Sequence, residues 1–192
     1  VERLLGGAAG RRVAVVAGGG NNGGDGFVIA RRLGLRGAEV VTFLVADPEK
    51  IDGDAAVNLA ALRALGRDVR SKAVGELAAA LEGFDAIVDA IGGTGVRGAL
   101  RGDLAEAVEQ LNAAVERAES RPKVIAIDIP TGLDCDTGRA DGPAVRADLT
   151  VTMLAEKKGF SSDGAAAHTG RVELVDIGIP GDAVARMAGI VE

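Results

Sequence analysis

Three stretches of this chain concentrate residue types that do chemistry. The first is Gly18-Gly19-Gly20-Asn21-Asn22-Gly23-Gly24-Asp25-Gly26, with six glycines in nine positions and two adjacent asparagines. Glycines remove side chains, so a ligand can touch the main chain, and they permit positive φ. Where such a loop opens a helix, unpaired N–H groups and the positive end of the helix dipole attract a phosphate or another anion. A branched side chain at Gly23 is then expected to weaken ligand binding more than stability. The plainer alternative is a tight turn in which Asp25 caps the helix, which leaves the two asparagines without a role.

The other two stretches open on carboxylates. Asp89 precedes Ala90-Ile91-Gly92-Gly93-Thr94-Gly95-Val96-Arg97-Gly98, and Asp128 precedes Ile129-Pro130-Thr131-Gly132-Leu133-Asp134. A carboxylate at the end of an apolar run is costly unless it is paired or bound to a cation. Either one alone reads as a cap or an acceptor for loop N–H groups; two at matching positions point to a site. Asn22, Asp89 and Thr131 offer an amide oxygen, a carboxylate and a hydroxyl, which suit an alkali or alkaline-earth ion rather than zinc. Asp128 is then left over to work as an acid or base. The glycine-rich loop after Asp89 can also approach a phosphate, and Arg97 can pair with one; a solvated loop arginine is the equal alternative. Of Lys157 and Lys158, one faces the crevice or both are solvated. Cys135 lies between Asp134 and Asp136, whose charges raise a thiol's pKa and make it a poor nucleophile. His168 stands alone in a Gly/Ala-rich loop and reads as solvated.

The elements that must position these residues alternate along the chain. Strand-like apolar runs cover residues 12–17, 39–46, 86–91, 123–129, 149–154 and 171–176, with a weaker one at 68–71. Helical patterns cover 26–35, 54–65, 76–81 and 103–118, and 2–9 reads as a helix tail weakened by Gly6 and Gly7. This order predicts an α/β fold with a mostly parallel central sheet and helices on both faces. No helical pattern separates the last two runs, so the parallel order is expected to stop at that edge. In such sheets ligands bind at the carboxyl ends of the strands, where the loops above converge. At 192 residues and 47% apolar, the chain is expected to form one domain with a continuous core. A net charge of −6, with no Trp or Tyr, disfavours nucleic acid as a partner. One cysteine allows no internal disulfide. No apolar run reaches the ~18 residues of a membrane span and the N-terminus is no signal peptide, so a cytoplasmic protein without membrane partners is expected.

The sequence resembles a known family at four places, taken in order. They are Gly20-Asn21-Asn22-Gly23-Gly24-Asp25-Gly26, Val88-Asp89-Ala90-Ile91 with Gly93-Thr94-Gly95, Ile127-Asp128-Ile129-Pro130-Thr131-Gly132-Leu133-Asp134, and Ala147-Asp148-Leu149-Thr150-Val151-Thr152. The family is that of the NAD(P)HX epimerases, the YjeF N-terminal domain family, and the resemblance runs from about Arg12 to Pro180. It implies a three-layer α/β/α Rossmann-like fold and epimerisation of the R and S forms of hydrated NADH or NADPH, a step of nicotinamide cofactor repair. By position, Asn21, Asn22, Gly23, Gly24 and Asp25 would hold the hydrated dinucleotide, its pyrophosphate against a helix beginning near Asp25. Gly93, Thr94, Gly95, Val96, Arg97, Gly98 and Ala99 would complete that hold. Asn22, Asp89 and Thr131 would bind a potassium ion, and Asp128 would contact the substrate and move protons, with Lys157 as a second catalytic candidate. The implied partner is an ADP- or ATP-dependent dehydratase, fused to this domain in many bacterial relatives, and the resemblance leaves room for a homodimer. Some positions depart from the pattern. Thr131 stands where serine is usual, Glu156 where proline is common, and Gly92 where a bulky residue is usual, which predicts a looser wall. The family's N-terminal helical region is missing or trimmed.

Two rival readings use the same residues. Gly18-x-Gly20-x-x-Gly23 also fits a dinucleotide fingerprint, with Asp47 near the end of the second run to hold a ribose hydroxyl. That would make a nicotinamide dehydrogenase, in which Asp89 and Asp128 have no role. The other rival is a non-catalytic nucleotide-binding or scaffold module, against which the intact Asn22, Asp89 and Asp128 set argues.

Overall fold

Val13, Val15 and Ala17 alternate with Ala14 and Val16 along the first strand, and all five are fully buried. A strand can be apolar on both sides only where helices cover both faces of its sheet. The computed structural model, which describes residues 1–71 and 74–183, has that arrangement. In chain order the elements are α1 (Glu2–Leu5), β1 (Arg12–Ala17), α2 (Asn21–Leu35), β2 (Glu39–Leu44), α3 (Gly53–Ala64) and β3 (Asp68–Ser71). They continue with α4 (Leu77–Ala80), β4 (Ala86–Ala90), α5 (Gly102–Arg117), β5 (Lys123–Ile127), β6 (Leu149–Met153), α6 (Ala166–Thr169) and β7 (Arg171–Val175).

The seven strands form one sheet in the order β3-β2-β1-β4-β5-β6-β7. On one face Val13, Val15 and Ala17 pack with Phe27 and Leu33 of α2 and Leu59 and Leu62 of α3. On the other, Ala14 and Val16 pack with Leu77 of α4 and Val108 and Leu111 of α5. The chain builds β2 and β3 on one side of β1 and β4 to β7 on the other. The reversal of direction therefore falls between β1 and β4, where open α/β sheets form their ligand crevice.

Two expectations are corrected. β7 pairs with β6 in parallel, from Leu149↔Arg171 to Met153↔Val175, so the parallel order runs to the edge. Residues 154–170 make the crossover with a 3₁₀ turn at Lys158–Ser161 and the single-turn α6, elements too short to leave a helical period in the sequence. The first long helix starts at Asn21, with Gly20 as its N-cap, so Asp25 lies inside α2 and does not cap it.

Candidate active site at the carboxyl ends of the strands

The glycine loop is shaped mostly by protein contacts. A Cβ at Gly18 would lie 2.0 Å from the Ile91 carbonyl oxygen, one at Gly23 would lie 2.0 Å from the Gly18 oxygen, and one at Gly26 would lie 2.7 Å from the Ala90 Cβ. Gly24 packs closely but less tightly on α3, where a Cβ would lie 3.2 Å from Ala55 Cα. None of these glycines has a positive φ. They let α2 sit down on β1, β4 and α3, so a branched residue at Gly23 is a folding lesion before it is a binding lesion. Gly20 differs: its Cβ would meet nothing within 4 Å, at an N-cap where the first N–H groups of α2 point outward. That is the open approach to the main chain.

Beside it, the end of β4 delivers Asp89, which is fully buried. Thr131 donates to it twice, from its backbone N–H to Oδ2 at 2.8 Å and from its hydroxyl to Oδ1 at 2.7 Å. The Ile91 N–H adds a 3.2 Å bond to Oδ1. Burial still pushes the Asp89 carboxyl up to about 6, against the pull of those donors. The Gly92 N–H donates to the Thr131 hydroxyl oxygen at 3.0 Å. A Cβ at the next residue, Gly93, would lie 3.4 Å from Asn22. Thr131 and Asn22 thus flank Gly92 and Gly93, just after β4. The Asn22 side chain is buried, at 8% exposure, and neither its oxygen nor its nitrogen has a hydrogen-bond partner among the described residues. A buried amide left unpaired is costly, and this one is an oxygen and a donor awaiting a ligand. The donor set is all oxygen, beside a buried carboxyl that burial alone disfavours as an anion, and it fits a monovalent cation. The space vacated by the glycine at 92 is filled: a Cβ there would lie 2.7 Å from Val96 Cγ2 and 3.5 Å from Thr131 Cγ2. Val96 and the threonine's extra methyl close the wall expected to be loose.

The third cluster lies at the ends of β5 and β6. Asp128 has φ 67°, and the Ile129 N–H bonds back to the Ile127 carbonyl at 2.8 Å, a tight bend around Asp128. The next strand ends the same way, with Leu154 at φ 67° and a 2.8 Å bond from Ala155 N–H to the Met153 carbonyl. Left-handed residues other than glycine cost roughly 1–2 kcal/mol and gather at functional sites. These bends bring Lys157 Nζ to 2.5 Å from Asp128 Oδ1, with further bonds to the carbonyls of Met153 at 3.1 Å and Ala155 at 3.3 Å. Lys157 is thus held by one ion pair and two hydrogen bonds, and Lys158 is left exposed. Thr152, buried on β6, donates to the same Asp128 oxygen at 3.4 Å. Asp25 on α2 feels this cluster: burial, then the Asp128 charge, raises its pKa.

The outer residues are arranged differently. Asn21, Thr94, Gly95, Arg97, Gly98 and Ala99 are exposed. Arg97 pairs with Asp136, 3.3 Å away on the following loop, and not with Asp89. Asp134 turns inward on its own loop, where Thr137 donates from its N–H and hydroxyl and holds the carboxyl below its usual pKa. Burial, then Asp136 and Asp134, raises the Cys135 thiol. His168 Nδ1 lies 3.1 Å from the Val145 carbonyl, away from the site. Asp47 accepts from the Glu49 N–H at 3.1 Å and pairs with Lys50, so it caps its own turn. Sequence reasoning missed Thr152 and the paired bends. The one available signal was Thr150 and Thr152 inside an apolar strand.

A parallel sheet with helices on both faces, a glycine-opened helix and a buried carboxyl group at its switch point make a Rossmann-like α/β domain. The sequence matches the family described as "YjeF-related protein N-terminus" over residues 1–159, and the chain belongs to it. Its relatives include an NAD(P)H-hydrate epimerase of Rhodopirellula baltica, 44% identical over 158 residues, which are 81% of this chain and 62% of that protein. A bifunctional NAD(P)H-hydrate repair enzyme of Moorella thermoacetica is 42% identical over 84% of this chain and 30% of its own length. This chain thus spans under a third of the bifunctional relative and somewhat under two thirds of the epimerase. Among solved structures, yeast YNL200c superposes with a TM-score of 0.73 at 28% identity, over 94% of this chain and 72% of that one. Among the described residues, no helix is long and apolar enough to cross a membrane.

Proposed function

We propose that this chain epimerises the R and S forms of hydrated NADH or NADPH, as the names of its relatives state for them. The observation that carries the reading is the Asp128–Lys157 pair on a left-handed bend beside the glycine-opened helix. The pyrophosphate would lie against the α2 N-terminus at Gly20, Asn21 and Asn22, with Gly23, Gly24 and Asp25 shaping that turn. The loop from Gly93 to Ala99 would close over it. Arg97, now paired with Asp136 on the surface, would exchange that partner for a phosphate.

The reacting carbon of the substrate bears both a hydroxyl and the ring nitrogen. Asp128 takes the hydroxyl proton as the carbon–nitrogen bond opens, and its electron pair goes to nitrogen, which takes up the proton. Closure on the opposite face returns the proton and inverts the carbon, so nothing is consumed. Lys157 keeps Asp128 paired and oriented. Asn22, Asp89 and Thr131 would hold a potassium ion. When bound, it supplies positive charge that balances Asp89 and complements the substrate's phosphates.

In the companion step a dehydratase, fused to this domain in the bifunctional relatives, would consume the usable epimer, and the setting would be cytoplasmic. The test is direct. Purified protein mixed with separated epimers of hydrated NADH should interconvert them, and Asp128→Asn should lower the rate by about 10²–10⁴ with the fold intact. Wild-type protein that leaves the epimers unchanged would return the scaffold reading to first place.

A further inference from the structure

Thr152 occupies a place where the sheet calls for an apolar side chain. It is fully buried in the interior strand β6, and like Thr150 it faces the side on which β5 places Val124 and Ala126. A hydroxyl in such a position is costly without a partner. Thr150 has one that explains it structurally: its hydroxyl donates at 2.8 Å to the Thr169 carbonyl and ties down the end of α6. Among the described residues, Thr152 bonds to nothing of the scaffold. Its partner is Asp128 Oδ1 at 3.4 Å, one step beyond the last register pair Ile127↔Val151.

Lys157 Nζ approaches that same oxygen at 2.5 Å. Among the described residues, the side-chain hydrogen bond to the Asp128 carboxylate falls on Oδ1, so its two oxygens are not equivalent. An ammonium on a flexible stem holds a carboxylate as a point charge and leaves its plane free to turn. A hydroxyl fixed by a β-branched side chain on an interior strand restricts that turn. We propose that Thr152 is a positioning residue: with Lys157 it anchors Asp128 Oδ1, which makes Oδ2 the oxygen that exchanges protons with the substrate. This rests on Asp128 as the proton-transfer group. The bond is long in the ligand-free chain, as bonds of this kind often are before substrate binds.

Thr152→Val keeps the shape and removes the donor. With separated epimers of hydrated NADH as the probe, kcat should fall about 3–10-fold with KM unchanged. Thr152→Ser, which restores the hydroxyl, should return kcat to within about twofold of wild type. In an Asp128→Asn background Thr152→Val should cost nothing further, because the oxygen it positions no longer exchanges a proton. Thermal melts accompany each variant, and if Thr152→Val unfolds, Thr152→Ala carries the same comparisons. An unchanged kcat for the folded Val or Ala variant overturns the inference, and so does an equal loss in the Asp128→Asn background or a serine variant no better than valine. A wild-type rate for Asp128→Asn instead overturns the reading of Asp128 itself, and this inference with it.

Discussion

Replacing Asn22 by leucine should stabilise the chain in one salt and destabilise it, relative to wild type, in another. The Asn22 side chain is buried with both of its polar atoms unpaired among the described residues. Each such group costs about 1–3 kcal/mol. Leucine has nearly the same shape and no polar atom to satisfy. With tetramethylammonium as the only cation, Asn22→Leu should therefore gain about 2 kcal/mol. For a chain of 192 residues that is about 4–8 °C in Tm. Potassium should reverse the order. A cation that binds only the native chain adds RT ln(1 + [K⁺]/Kd), about 2.7 kcal/mol at one hundred times Kd. The wild-type chain would then gain roughly 5–11 °C, and Asn22→Leu, lacking the oxygen, would gain nothing.

The chain has no Trp or Tyr, so far-UV circular dichroism is the suitable probe of unfolding. Both proteins are melted in the chlorides of the two cations at equal ionic strength, which holds general screening constant. Two results would refute the reasoning. Equal wild-type Tm values in both salts would mean that no cation is held. An Asn22→Leu chain less stable than wild type in both would mean that ordered water already satisfies the amide.

Three further outcomes follow from the geometry. Gly20→Val, whose Cβ meets nothing, should leave Tm within about 1–2 °C yet raise the substrate KM at least tenfold, whereas Gly23→Val, 2.0 Å from a carbonyl oxygen, should lower stability by about 3 kcal/mol or more in urea. Asp89 has its pKa raised from 3.8 to about 6, so in potassium-free buffer its contribution to stability is full below pH 4 and is lost as pH rises through 6. That loss is about 3 kcal/mol, and Asp89→Asn should flatten it in urea titrations across pH 4–7. Lys157→Met leaves the Asp128 carboxylate, whose side chain is only 16% exposed, without its cation; it should cost about 3 kcal/mol, most of it recovered in the Lys157→Met, Asp128→Asn double variant.

The strands were legible because their β-branched runs are bounded by glycine loops, and even the weak run at Asp68–Ser71 became β3. The start of α2 was not legible, and the reason is specific. Gly23, Gly24 and Gly26 carry the poorest helix propensity short of proline, so the sequence reads them as loop. Their lack of side chains is instead what lets the helix approach Gly18, Ala55 and Ala90. Tertiary contact overrode propensity, and it moved the role of open approach from Gly23 to Gly20. Asp89 could be picked out because a carboxylate at the end of an apolar run needs a reason, Thr131 as a hydroxyl just past the Asp128 run, and Asn22 as one of two adjacent asparagines in the glycine stretch. The left-handed bends at Asp128 and Leu154 could not, since a single dihedral angle leaves no pattern in residue types.

The topology explains why the two halves of the site are chemically different. Between β1 and β4 the chain reverses the direction in which it adds strands, so the loops after them diverge and leave a crevice. Asn22, in the first turn of α2 after β1, and Asp89, on β4, come from its two sides. Further along the edge, β5 and β6 are adjacent and parallel. Both strand ends carry a left-handed bend, at Asp128 and at Leu154. Beside Asp128, Lys157, hydrogen-bonded to the carbonyls on either side of Leu154, supplies the opposite charge. The switch point and the two strained strand ends are thus separate backbone features along one edge of the sheet.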